Sequence, residues 1–472
     1  MLFNSWVFLV FLPVVLLLHR LLPLKLRPAL LLGASYFFYG WWDWRFLALL
    51  VISTLVDYWV GGRLHATEDP GGRRRLLFVS LAVNLGILGF FKYFGFFTES
   101  AAALLTTLGL KAHAPTLEIL LPVGISFYTF QTLSYTIDIY RRQLEPTKSL
   151  LHFAVFVSYF PQLVAGPIER ARRLLPQLES PKAVGAHEVT GALLLILRGY
   201  VRKVAIADFL AVRVTMAFAD PGDQSSLGLW LTVYQFALVI YGDFAGYSDI
   251  ARGVSRLFGV ELMVNFKQPY FAANVQDFWR RWHVSLSTWL RDYLYIPLGG
   301  SRAGELTTLR NLMITMLLGG LWHGADWKFV LWGAIHGGCL ALHALWQRRP
   351  WRREDGTGAL AWLTTPLSML LTFHVVVLAW VPFRADSLGQ ALEILQGLVA
   401  GRGGSHQAAL FGLALGVLLT LLIDLPLTWA QRKGQALRDV PGWQLGLHSG
   451  LLLIVLLVLG DAHGVPFIYF QF

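Results

Sequence analysis

One cysteine, Cys339, stands in a chain of 472 residues, and it lies inside an apolar run. That count excludes a disulfide framework and a thiolate metal site. Charge is scarce as well: 14% of residues are Asp, Glu, Lys or Arg, against roughly 25% in soluble domains. The signatures of soluble enzymes are also missing. There is no Walker-type phosphate loop, no Gly-x-Gly-x-x-Gly after a strand, no Gly-x-Ser-x-Gly elbow and no His-Glu-x-x-His pair. Phosphoryl transfer, hydride transfer and zinc hydrolysis are left without a scaffold. No internal repeat is present, and the most polar stretches, 348–358 and 400–407, are loop-sized.

What the chain has in abundance is apolar sequence, with 56% hydrophobic residues and a mean hydropathy of +0.55. About 20 apolar residues cross a ~30 Å hydrocarbon core. Apolar runs recur at 5–22, 28–41, 45–62, 76–97, 118–140, 150–166, 188–214, 227–250, 308–322, 327–346, 362–383, 408–429 and 445–460. Several are shorter than a full span, so the expectation is an all-α polytopic membrane protein with about eleven crossings, plus re-entrant or interfacial helices. One transmembrane domain is expected over 1–472, with its chemical core at about 118–346. The first run has no basic flank before it and no small-x-small site after it, so it reads as a signal anchor. Arg20, Lys25 and Arg27 follow it, which places the N-terminus outside. The same rule assigns the stretches Arg63–Arg75 and Arg141–Lys148 to the cytoplasm, and basic clusters on both sides of 150–166 suggest a re-entrant or surface element there. The formal charge of +11 reflects topology and contact with anionic lipid. With no soluble basic domain, nucleic acid is not an expected partner.

Ionisable side chains inside such runs are expensive and tend to face a protein interior or a cavity. His323 is the foremost, within Leu317-Leu318-Gly319-Gly320-Leu321-Trp322-His323-Gly324-Ala325. Histidine titrates nearest neutral pH and suits general-base work; a core histidine bonded to a helix carbonyl is the plainer alternative. Asp243 and Asp249 flank Gly246 in a run where the glycines suggest a bent or broken helix. Hydrogen bonding to Arg or Tyr neighbours explains that pair better than a metal. Over Asp277–Tyr293, Trp279, Trp282, Leu286, Leu290 and Tyr293 recur at helical spacing. On one continuous helix His283 and Ser287 share a face, with Arg280, Arg281 and Arg291 around it. Two readings stay open: a basic Trp-rich helix lying at the interface, or one dipping inward so that its arginines attract a phosphate-bearing donor. His336, His374 and His448 read as histidines hydrogen-bonded within the bundle.

These blocks resemble the membrane-bound O-acyltransferase superfamily, and within it the membrane subunits of bacterial alginate O-acetylation. The resemblance rests on Leu121-Pro122-Val123-Gly124-Ile125-Ser126-Phe127-Tyr128, Phe160-Pro161-Gln162-Leu163-Val164-Ala165-Gly166-Pro167 and Asp243-Phe244-Ala245-Gly246-Tyr247-Ser248-Asp249. It continues through Phe278-Trp279-Arg280-Arg281-Trp282-His283, Gly319-Gly320-Leu321-Trp322-His323-Gly324 and Trp332-Gly333-Ala334-Ile335-His336-Gly337, and ends on Tyr469-Phe470-Gln471-Phe472. It implies a ring of tilted helices around a central tunnel, with His323 as the catalytic residue and His283 as the other member of a histidine pair. Beside that pair, Arg280, Arg281, Trp322 and Ser287 are the candidate substrate-binding residues, the arginines for the phosphates of the donor. An acetyl group would pass from a cytoplasmic thioester, acetyl-CoA, across the bacterial inner membrane. Its taker would be a periplasmic SGNH-like acetyltransferase or acceptor protein, with a polysaccharide as final acceptor. No bound cofactor or metal is implied. Cellulose and peptidoglycan systems share these motifs, and the D-alanyl transferase branch matches their spacing less well. A transporter without chemistry and a scaffold subunit are the rival readings of the polar residues alone.

Overall fold

The computed structural model describes residues 1–472 except 112, 114–116, 118, 165, 349–360, 433–440, 461–466 and 468–472. The ending at 469–472 and most of the 348–358 loop lie outside the described residues. Among the described residues every regular element is helical. Seven stretches of the described residues combine the length and apolarity needed to cross a membrane: Leu24–Ala66, Pro70–Thr107, Ser226–Leu257, Trp327–Gln347, Thr364–Arg384, Gln407–Pro426 and Gly442–Leu459. The chain is thus a multi-pass membrane protein. The other expected runs also contain helices, some of them shorter, as Trp6–Leu21 is. Helix starts follow local chemistry: the side chains of Ser5, Asp69, Ser149, Asn274, Asp326 and Ser387 each accept a backbone N–H of the first turn.

The residues form two compact units, Met1–Leu193 with Ala251–Met263, and Leu194–Ile250 with Val264–Phe472. The first contains α1 (Trp6–Leu21), α2 (Arg27–Asp43), α3 (Leu47–Ala66), α4 (Pro70–Leu88), α5 (Phe94–Thr107), α6 (Ile125–Tyr140), α7 (Leu150–Ser158), α8 (Phe160–Leu163) and α9 (Ala171–Glu179). Helices α3, α4 and α6 are joined by a buried polar net. Asp57 accepts from Ser80 Oγ at 2.6 Å and Asn84 Nδ2 at 2.9 Å, and Ser80 meets Thr136 at 3.0 Å. Arg73 is buried, and its guanidinium donates to the carbonyls of Leu64, Thr67, Ile139 and Tyr140. It thereby caps the C-terminal ends of α3 and α6 with a cation, where the helix dipole favours one. The expected run 118–140 becomes helical only at Ile125, since Gly124 is left-handed at φ 75° and a Cβ there would come within 2.8 Å of the Leu163 carbonyl. The run 150–166 is broken at Tyr159 into α7 and α8.

In the second unit lies the last part of α10 (Ala186–Tyr200), followed by a π-helical turn (Val201–Asp208) and α11 (Phe209–Ala219), and then most of α12 (Ser226–Leu257). The bent helix expected at Asp243–Asp249 is corrected: α12 runs unbroken for 32 residues. Gly242 and Gly246 serve close approach instead, as Cβ atoms there would sit 2.9 Å from the Arg202 carbonyl and 2.7 Å from the Gly199 carbonyl. The irregularity belongs to the neighbouring π turn, which aims two buried cations at the aspartates. Arg202 bonds Asp249 and Asp424, and Lys203 lies 2.8 Å from Asp208 and 2.7 Å from Asp243. Tyr241 donates to Asp424 at 2.8 Å. Asp249 therefore pairs with an arginine, as expected, and Asp243 with a lysine, while the tyrosine bonds Asp424 and not the pair. No cluster able to hold a metal occurs among the described residues.

The same unit continues with α13 (Val275–Arg281), α14 (Val284–Leu290), α15 (Glu305–His323), α16 (Trp327–Gln347), α17 (Ala361–Arg384), α18 (Leu388–Val399), α19 (Gln407–Arg432) and α20 (Gly442–Leu459). Helices α15 and α16 form a tight hairpin. Any Cβ at Gly320 would collide with the Phe329 carbonyl, one at Gly333 with the Met316 carbonyl, and one at Gly324 with the Phe329 ring. Small residues let helix backbones approach in this way where lipid gives no hydrophobic drive to associate.

Candidate active site

The hairpin fixes His323, which closes α15 and is 3% exposed. Its ring sits among aromatic walls, 5.1 Å from Trp322, 4.9 Å from Trp332 and 5.3 Å from Phe383 between centroids. Trp322 also meets His283 edge-on at 5.8 Å. One indole thus touches both histidines.

His283 reaches that position by breaking its helix. The single element expected over Asp277–Tyr293 is corrected to two helices and a π turn (Arg291–Tyr295), with the break at Trp282-His283. His283 is left-handed, at φ 42° and ψ 54°, and caps α14. The Leu286 N–H donates to its Nδ1 at 3.4 Å. The Ser285 hydroxyl lies at the same 3.4 Å from Nδ1, so this nitrogen faces the first turn of α14 and Nε2 faces away from it. Phe244 of α12 packs its ring at 90° to the imidazole, 4.6 Å away. His283 is 0% exposed.

Sequence reasoning missed the residue that holds this break in place. Asn265, buried in the segment before α13, accepts the Val284 N–H on its carbonyl at 2.9 Å. Its side-chain oxygen takes the Ser285 N–H at 3.2 Å and the Ser285 hydroxyl at 2.9 Å. Its amide reaches Ser248 of α12 at 3.4 Å. Only the unusual backbone of His283 makes this bracing necessary, and no periodicity announces it.

The remaining expected site residues part company. Arg281 is paired with Asp277 at 3.0 Å, one helical turn away, and its carbonyl takes the Lys267 N–H. Arg280 is exposed and makes no ion pair among the described residues. Ser287 does not share a helix face with His283: its N–H donates to the His283 carbonyl at 2.9 Å and its hydroxyl to the Trp282 carbonyl at 3.0 Å, bracing the break. His374 is bonded to Leu370 and Tyr234, as expected of a bundle histidine. His336 is different. It is 0% exposed, and neither ring nitrogen has a hydrogen-bond partner among the described residues.

Residues 140–362, which carry all of these histidines except His374, match the membrane-bound O-acyltransferase family. The chain is 38% identical to a probable alginate O-acetylase of Pseudomonas putida, with 100% of each chain covered. The chain belongs to the membrane-bound O-acyltransferase family. A probable alginate O-acetylase of Pseudomonas aeruginosa is 41% identical over 89% of this chain and 79% of that one. A peptidoglycan O-acetyltransferase of Helicobacter pylori is 37% identical over 86% and 81%. As a membrane-bound O-acyltransferase, this protein is an enzyme that moves an acyl group to oxygen, and the transporter and scaffold readings fall away. For such chemistry the site offers a buried imidazole at a helix end, and a second buried imidazole held by its Nδ1 at the start of α14.

Proposed function

We propose that this enzyme takes an acetyl group from acetyl-CoA at the cytoplasmic face of a bacterial inner membrane and delivers it to a periplasmic acceptor protein for polysaccharide O-acetylation. His323 acts as general base. It takes the proton of the acceptor hydroxyl as that oxygen attacks the thioester carbonyl. The C–S bond breaks, and the departing thiolate recovers a proton. General-base help of this kind is typically worth 10²–10⁴-fold. His283, donating from Nε2, polarises the carbonyl that is attacked, and exposed Arg280 meets the phosphates of the donor.

The observation that carries this reading is the bridge of Trp322 between two buried histidines, one at the end of α15 and one capping α14. Alginate is the preferred final acceptor because the relative matched over the whole of both chains is named for it. Peptidoglycan is the second reading, favoured by the Helicobacter relative. Expression of the chain in a strain lacking its own alginate O-acetylase membrane subunit, followed by acetyl analysis of alginate and of peptidoglycan, separates them. Acetyl restored to alginate supports the first. Acetyl gained on muramic acid alone would replace it with the second.

A further inference from the structure

Four buried polar atoms gather on three rings beside His323 without any hydrogen-bond partner among the described residues: Nδ1 and Nε2 of His336, Nε1 of Trp332 and Nε1 of Trp279. The rings touch one another. Centroids lie 4.7 Å apart for His336 and Trp332, 5.2 Å for His336 and Trp279, and 5.6 Å for Trp279 and Trp332. Trp332 and His336 are one turn apart on α16, hence on one face, and both are 0% exposed. Trp279 comes from α13. Trp332 in turn packs on His323 at 4.9 Å.

Packing alone does not account for these residue types. Each buried donor or acceptor left unpaired carries the desolvation of a hydrogen-bonding group, which apolar side chains would avoid, phenylalanine in place of His336 at nearly the same volume. Three such rings in mutual contact point to a ligand that satisfies them together. Indoles only donate, and a neutral imidazole offers one donor and one acceptor. Burial of all four polar atoms among aromatic rings disfavours an ion. What fits is a small neutral group with an oxygen acceptor.

We propose that Trp279, Trp332 and His336 form a subsite for a small neutral oxygen-bearing group, either the acyl carbonyl or a single water, on the flank of His323. This rests on the acyl-transfer role given to His323 above. His336→Phe keeps a flat ring against Phe278, on which His336 already stacks at 6.1 Å and 10°, and removes both nitrogens. Because the replacement leaves nothing polar unpaired at that position, the melting midpoint of the purified full-length protein should hold or rise. Turnover of acetyl-CoA at saturation should fall about tenfold or more with KM little changed, the mark of an interaction made in the transition state. His336→Gln should recover part of that loss.

The carbonyl infrared band of a non-cleavable acetonyl analogue of acetyl-CoA then separates the two occupants. A shift to low frequency seen in the wild type and lost in His336→Phe identifies the acyl carbonyl. A band that stays put while turnover falls identifies water. Should His336→Phe fail to fold, Trp279→Phe, at the half-buried edge of the cluster, serves the same comparison. Wild-type kcat and KM in a folded variant would overturn the subsite, as would activity lost only in step with folding in both variants. His323→Ala is run alongside. If it stays active, the underlying reading of His323 fails; if it is dead while His336→Phe is normal, only the subsite fails.

Discussion

Substitutions at His323 and His283 remove different things. His323→Ala deletes the proposed base from the end of α15, where the ring is lodged among aromatic neighbours. Acetyl transfer should drop by roughly 10²–10⁴-fold while the purified protein keeps a sharp gel-filtration peak. Full transfer by a well-folded variant would unseat His323. At His283 two jobs sit on one side chain, the cap of α14 and the proposed Nε2 donor. Asparagine tolerates left-handed backbone and caps helices well. His283→Asn should therefore melt within about 1 kcal/mol of wild type, whereas His283→Ala should lose about 0.5–2 kcal/mol. Both should turn over slowly at saturating donor, since the amide is shorter than the imidazole. Wild-type turnover in His283→Asn would mean that the residue is a cap and nothing more. Among the arginines, Arg280→Gln should raise KM for acetyl-CoA with a smaller effect on kcat, because phosphate contacts persist through ground and transition states alike. Arg281→Gln should leave KM alone, as that guanidinium is held by Asp277.

At the level of elements, the α15–α16 hairpin sets the precision of the site. Gly333→Ala puts a methyl against the Met316 carbonyl and should force the helices apart, a change typically worth about 1–3 kcal/mol. Activity should fall further than stability does, because His323, Trp332 and His336 all hang on these two helices; equal loss in both would argue that the spacing matters for folding alone. The helices themselves were legible in the sequence. The apolar runs 308–322 and 327–346 coincide closely with α15 (Glu305–His323) and α16 (Trp327–Gln347), since a buried apolar run bounded by Gly and Asp leaves little choice. Two features were not legible. Trp282-His283 preserves helical periodicity on both sides, so the stripe of Trp282, Leu286 and Leu290 persists across a residue that is not helical. Gly242 and Gly246 announced flexibility, yet they lie in an unbroken α12 because close packing uses the same residue that bending does. The histidines were recognisable as site candidates by their motifs, but Asn265 carries no pattern at all.

For the whole molecule, the basic stretches give a testable orientation. Arg73 is buried as a double helix cap, so a label should go to an exposed neighbour, Arg75. With Cys339 replaced by Ser, a cysteine at position 75 should resist membrane-impermeant maleimide in intact cells and react in inverted vesicles. Labelling from outside would invert the map. A further consequence follows from the ion pairs of the π turn, and it concerns biogenesis. Arg202 and Lys203 emerge from the ribosome before any of their partners on other helices, Asp243 and Asp249 on α12 and Asp424 on α19. Arg202 and Asp424 are 222 positions apart. A charge left alone in the bilayer is costly by about 2.5–3.5 kcal/mol even on the mildest scale. Lys203 already has Asp208 in its own turn, so it is Arg202 that needs shelter, from the translocon or an insertase, until α12 arrives. The pairing of Arg202 is complete only once α19 follows. Chains terminated near 400, which lack Asp424, should accordingly be degraded faster than the full-length protein in pulse-chase, while Asp424→Asn should prolong that vulnerable interval in the full-length protein.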